Sequence, residues 1–135
     1  SHQERRKFPR LKIQIDAKFA LLIPHETFSP LAMEGKTTDL SIAGVRLKTY
    51  DLEKKDYHAI LRGQSHVKLE LRHGQLETPI VLRAQIVWTD YHDATKAERA
   101  HCYLGIAPYD FTEKAREDYR RILEKLEQDP SAKSL

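Results

Sequence analysis

The sequence predicts an all-β domain followed by one amphipathic α-helix. Three observations carry this prediction. Apolar and polar residues alternate with a period of two in several short segments, turn-forming Gly, Pro, Asp and Ser separate those segments, and the period lengthens to 3.6 near residue 112. The clearest alternation is over residues 11–23. There Leu11, Ile13, Ile15, Ala17, Phe19, Leu21 and Ile23 share one face while Lys12, Gln14, Asp16 and Lys18 share the other, as in a half-buried strand. A loop with Pro24 and Pro30 follows, then a second strand over 32–39 and a third over 45–49. The polar residues 50–64 read as a loop with one helical turn. Val67, Leu69 and Leu71 alternate with Lys68, Glu70 and Arg72 in a fourth strand, which turns near His73-Gly74. Ile80, Leu82, Ala84, Ile86 and Trp88 mark a fifth strand, Thr89–Arg99 reads as a polar loop, and 100–107 forms a sixth strand around Cys102, Leu104 and Ile106.

The helix is expected over about 112–128, with Ala115, Tyr119, Ile122, Leu123 and Leu126 on one face. Asp110 or Thr112 supplies the N-terminal cap, and Pro130 stops the helix. Lys114–Asp118 and Glu117–Arg121 are opposite-charge pairs at i, i+4, each contributing about 0.2–0.5 kcal/mol. Six short strands before a single helix give an antiparallel barrel or sandwich, with the helix over a barrel opening or one sheet face.

At 135 residues the chain is one domain, able to bury roughly two thirds of its unfolded surface. With 40% hydrophobic and 32% charged residues it has the composition of a soluble globular protein. No apolar run approaches the ~20 residues of a membrane span, so direct membrane insertion is not expected. The single cysteine, Cys102, lies in an apolar stretch and reads as a buried structural thiol in a reducing, cytoplasmic setting. The net charge of +3 is unevenly placed: residues 1–12 carry +4 and the remainder −1. A nucleic-acid binder spreads its basic surface over a folded face, whereas a local cluster suits a small anionic ligand or a solvated tail. The seven histidines lack the helical i, i+4 spacing and the Cys pairing of a zinc site. With no phosphate-binding glycine loop and no nucleophile elbow, neither a metal nor an enzymatic activity is expected.

Two motifs remain. The first is the arm Arg5-Arg6-Lys7-Phe8-Pro9-Arg10. Pro9 disfavours a helical Phe8, so the arm is extended or turned. In an extended arm Arg6 and Arg10 lie on the same side, about 13 Å apart. Guanidinium groups bind phosphate bidentately, match the O6/N7 edge of guanine and stack on purine faces. The spacing alone carries little, because Arg116 and Arg120 repeat it on the helix. The second motif is Asp39-x-Ser41-x-x-Gly44, which serves equally as an ordinary strand turn. As a site, Asp39 accepts from the N1–H and N2–H of guanine and Ser41 donates to a phosphate or organises the turn. Gly44 permits a close backbone approach or a positive φ.

Together and in this order, Arg6-x-x-x-Arg10 and Asp39-x-Ser41-x-x-Gly44 resemble the two signature motifs of PilZ domains, bacterial receptors for cyclic di-GMP. The doubled Arg5-Arg6 and the later segments Ala84–Trp88 and Leu104–Ile106 add to the resemblance, which covers about residues 4–110. It implies a six-stranded antiparallel β-barrel over 11–110, preceded by a flexible basic arm (1–10) that carries part of the site and followed by the helix and tail (111–135). It also implies that Arg6 and Arg10 grip phosphate and the guanine Hoogsteen edge, with Arg5 adding a further guanidinium. Asp39 and Ser41 hold the base, and Gly44 keeps the turn close. Trp88 stacks on a base or is a core or rim aromatic.

The function so implied is a non-enzymatic receptor for cyclic di-GMP, with no cofactor and no metal. Its arm orders over the ligand and signals to a downstream protein partner or a fused effector domain. The alternatives are a PilZ-like adaptor acting only through protein contacts, by way of the helix and the Thr89–Arg99 loop, and a small barrel for single-stranded nucleic acid. The last needs exposed aromatics along a spread basic groove, of which the sequence shows little.

Overall fold

The computed structural model describes residues 11–12, 14–22, 32–63, 65–74, 76–127 and 133–134. In chain order the elements are β1 (Leu11–Lys12), β2 (Asp16–Leu21), β3 (Met33–Leu40), β4 (Val45–Thr49), α1 (Lys54–Leu61), β5 (His66–Arg72), β6 (Ile80–His92), β7 (His101–Phe111), α2 (Glu113–Glu127) and β8 (Lys133–Ser134). The apolar stripes cannot stay dry on an open sheet, and the sheet closes on itself. Strands pair in the order β2-β5-β6-β7-β4-β3, and β3 returns to β2, giving a six-stranded antiparallel barrel. Of the two architectures the pattern allows, the structure is the barrel. The short β1 and β8 extend it at the end of β3, where Leu11 lies opposite Leu40.

The barrel interior is filled by Phe19, Leu40, Leu47, Val67, Leu69, Leu71, Leu104 and Ile106, all essentially inaccessible to water. This is how small barrels are stabilised: inward side chains fill the lumen, and each fully buried one contributes on the order of 1.5–3 kcal/mol. The odd-numbered face of the first strand packs inward as expected through Ile15, Ala17, Phe19 and Leu21, although regular pairing is split between β1 and β2. Ile13, Ile23 and the Pro24–Pro30 loop lie outside the described residues, as does the arm with Arg5, Arg6 and Arg10.

Several expectations change. Residues 54–61 form a full helix rather than one turn; Asp56 accepts from the Glu53 N–H at 3.2 Å, and Gly63 ends the helix with φ +103°. The segment expected as a Thr89–Arg99 loop is strand as far as His92, because Thr89 to His92 find ladder partners from Leu104 to His101. At α2 the cap is Thr112, whose Oγ1 accepts from the Ala115 N–H at 3.1 Å. Lys114 reaches Asp118 at 3.6 Å and Arg121 reaches the same carboxylate at 3.8 Å. The α2 residues Ala115, Tyr119 and Ile122 are buried against the barrel.

The most consequential departure is in register. Pairing shifts between Thr37 and Asp39 on β3 and between Ile86 and Trp88 on β6. Each β-bulge adds one residue and so reverses which side of the sheet the following residues face. On β6 the core residues run Ile80, Leu82, Ala84, Ile86, and strict alternation carries Trp88 inward with them. The bulge instead turns Trp88 to the outer surface, opposite Gly105.

Candidate ligand-binding site

The turn between β3 and β4 is built by its own residues. Ser41 and Gly44 exchange backbone hydrogen bonds, Ser41 N–H to the Gly44 carbonyl at 2.9 Å and Gly44 N–H to the Ser41 carbonyl at 3.3 Å. The Ser41 Oγ also accepts from the N–H groups of Ala43 and Gly44, each at 3.2 Å. This is the hydroxyl-to-backbone bonding that makes serine a turn former. Of the two tasks open to Ser41, the structure shows it organising the turn. Gly44 is needed for closeness rather than for a left-handed backbone: Gly63 is the positive-φ glycine among the described residues, and a Cβ on Gly44 would stand 3.1 Å from the Ile106 carbonyl.

From this turn a row of outward-facing positions crosses the barrel. Regular pairing out of the turn sets Asp39 opposite Arg46, beyond which the bulge at Thr38 shifts Thr37 onto Leu47; Arg46 pairs with Gly105 on β7, and Gly105 faces Trp88 on β6. Asp39 and Ser41 are each only 3% exposed, whereas Trp88 retains 39% exposure. Gly105 makes room for the indole: a Cβ there would fall 2.0 Å from Trp88 Nε1. The indole thus lies over bare backbone, with the Arg46 guanidinium 5.2 Å from its ring centre and 5.6 Å from that of Tyr103. Cation–π contacts at this exposure contribute roughly 0.5–1 kcal/mol each and hold a flat, cationic shelf in place. Arg46 is the residue that motif reading misses. Its signal is simple counting, since pairing Ser41 with Gly44 and Leu40 with Val45 puts Arg46 opposite Asp39.

Next to this row, residues 93–100 are fastened onto β4. Lys48 Nζ donates to Glu98 Oε2 at 2.5 Å, and the Tyr50 hydroxyl donates to the same carboxylate. Lys48 and Tyr50 together hold the Glu98 carboxyl down at about 2, and Glu98 in turn pushes the Lys48 ammonium pKa above its ordinary value. The Arg99 guanidinium lies 4.6 Å from the Tyr50 ring centre. A groove of about 590 Å³ opens along β2, β3 and β4 beside these groups, lined among others by Lys36, Thr38, Lys48, Tyr50, Arg72 and Arg99. His92 stacks on His101 at 4.9 Å and meets the Asp90 carboxylate at 3.0 Å. Among the described residues, no three His, Cys, Asp or Glu side chains gather in a way that could hold a metal ion. Cys102 is fully buried 3.0 Å from the Thr89 hydroxyl, and burial raises its thiol pKa, which makes it a poor nucleophile.

The barrel thus has a filled lumen and carries an aromatic and cationic shelf on its outer surface, beside the hairpin turn. The family model for the PilZ domain matches residues 4–125, and the chain belongs to the PilZ domain family. PilZ domains are receptor domains rather than enzymes. The fold is similar to that of the PilZ domain of Escherichia coli YcgR, solved with c-di-GMP (TM-score 0.65, 14% identity, 93% of each chain covered). It is also similar to the Bacillus subtilis inhibitor of motility MotI/DgrA (TM-score 0.58, 14% identity, 95% of this chain and 54% of that one). A third similar structure is Borreliella burgdorferi PlzA in complex with c-di-GMP (TM-score 0.56, 9% identity, 89% and 52%). The chain thus spans about half the length of the last two. No curated protein sequence matches it significantly. Among the described residues, no helix is long and apolar enough to cross a membrane.

Two tests follow from this geometry. Gly105→Ala drives a methyl group into the indole, and the overpacking costs about 1–3 kcal/mol. Trp88 is the only tryptophan, so its emission reports the event directly: a red shift in the variant is expected, and an unchanged spectrum shows that the indole does not rest on Gly105. The second test concerns Glu98. Its folded pKa of about 2 lies below the ordinary 4.5, so the fastening stabilises the fold above about pH 4.5 and is lost as pH falls toward 2. The thermal midpoints of wild type and Glu98→Gln should be separated at neutral pH and converge near pH 2. A constant separation across that range excludes the fastening.

Proposed function

We propose that this chain is a cytoplasmic receptor for cyclic di-GMP whose N-terminal arm orders over the ligand and passes the signal to a partner protein or a fused effector domain. One observation carries the reading. The Asp39 row with its Arg46–Trp88 shelf lies beside the point where the arm joins the fold, since Leu11 is opposite Leu40. Arg10 is thus one residue upstream of a strand that borders Asp39. A guanine base on the shelf stacks on Trp88, and its N1–H and N2–H face a carboxylate acceptor in Asp39. Its O6/N7 edge and the phosphodiester are left to guanidinium groups, Arg46 from the barrel and Arg5, Arg6 and Arg10 from the arm. Ser41 and Gly44 act by shaping the turn. The related structures solved with c-di-GMP support the same ligand class.

Charge-assisted hydrogen bonds contribute about 1.5–3 kcal/mol, so Arg10→Ala and Asp39→Ala should each weaken cyclic di-GMP binding by roughly ten- to a hundredfold in calorimetric titration. No heat from the wild type at high micromolar ligand overturns the receptor reading and favours an adaptor working through protein contacts alone. Arm ordering has its own readout. Trypsin cleavage after Arg5, Arg6 and Arg10 should slow several-fold when ligand is added, and an unchanged rate excludes the ordering step even if the ligand binds.

A further inference from the structure

We propose that Tyr119, in the middle of α2, is the residue that positions the Asp39–Gly44 turn, and that through it the C-terminal helix is coupled to ligand binding. The inference rests on reading that turn as part of the cyclic di-GMP site. Tyr119 is 78 positions from Ser41 in sequence, yet its hydroxyl donates to the Ser41 carbonyl at 2.5 Å and lies 3.4 Å from the Gly44 carbonyl. These are the two carbonyls that the turn already exchanges with its own N–H groups. One phenol therefore braces both sides of the turn from beneath. The ring is itself fixed: it is buried, and it packs against Phe111 at 5.6 Å between ring centres.

The peptide geometry gives this contact a consequence. In a trans peptide the C=O and the following N–H point in opposite directions, and the described chain contains no cis bonds. Holding the Ser41 carbonyl toward α2 turns the Ile42 N–H away from the helix, so a backbone donor is presented on the far side of the turn. A phosphodiester oxygen is the kind of acceptor such a donor suits. Without the phenol, the Ser41–Ile42 peptide keeps only the weaker 3.3 Å bond from Gly44 N–H and is freer to rotate. Coupling is reciprocal by linkage: if docking of α2 favours the ligand-ready turn, ligand on the turn favours docking of α2. The helix then becomes a second route of output, separate from the arm.

Three proteins test this: wild type, Tyr119→Phe, and Ile122→Val. The last trims the same buried face of α2 without removing a hydroxyl. Hydrogen–deuterium exchange without ligand should show the Ala43 and Gly44 amides exchanging several-fold faster in Tyr119→Phe, with β7 protection unchanged. Calorimetric titration should show cyclic di-GMP binding weakened about two- to twelvefold in that variant, the loss of roughly one hydrogen bond. Ile122→Val should lower the melting temperature while leaving turn exchange and affinity as in wild type, which separates positioning from general destabilisation. Equal turn exchange in Tyr119→Phe and wild type overturns the bracing role. Faster exchange with unchanged affinity overturns the coupling to ligand. A wild type that binds no cyclic di-GMP overturns the receptor reading and the coupling with it, while the exchange data still decide whether the phenol braces the turn.

Discussion

The organisation of this molecule depends on one constraint: a pleated strand sends alternate residues to opposite faces, and a strand that both fills a barrel and presents a site must break that alternation at a defined place. Two bulges do so. On β3 the shift between Thr37 and Asp39 lets Leu40 remain in the core while Asp39 joins the outer row with Arg46. On β6 the shift between Ile86 and Trp88 lets the core residues up to Ile86 stay inside while the indole goes outside. Without either inserted residue, the carboxylate and the aromatic shelf would not share a surface.

Given that surface, the remaining geometry is a matter of clearance and of fixed cations. Gly105 leaves bare backbone under the indole, and Gly44 lets the turn approach the Ile106 carbonyl. Arg46 stands between Trp88 and Tyr103, and Lys48 is tied to Glu98, so both cations are held by their neighbours. On the proposed reading, a surface assembled this way would lose little side-chain entropy to a flat ligand, as a preorganised site does.

The helix α2 has a part in this beyond covering the barrel. Its apolar face contributes buried area through Ala115 and Ile122, as any amphipathic helix does. The residue between them, Tyr119, adds a polar contact to the one turn that carries the signature residues. Core packing and the contact to the turn therefore meet on a single helix face.

Sequence alone determined the order of the six main strands and the final helix, and the two motifs, because period-two alternation, turn residues and the later 3.6 period are local properties of the chain. It also placed Asp39, Ser41 and Gly44 in one hairpin, and counting outward from that hairpin reaches Arg46. Tertiary structure decided the rest. Closure into a barrel rather than a sandwich depends on the β2–β3 pairing, which no local pattern encodes. The helical stretch 54–61 and the strand continuation to His92 are held by contacts that their polar composition does not advertise. Trp88 was in phase with the core by alternation and lies on the outer face because one unpaired residue precedes it. The Tyr119 contact joins positions 78 apart, and an amphipathic pattern shows only that this residue is buried, never which backbone its hydroxyl will meet. Local sequence fixes the period of each element, whereas bulges and side-chain hydrogen bonds between distant elements exist only once the chain has closed.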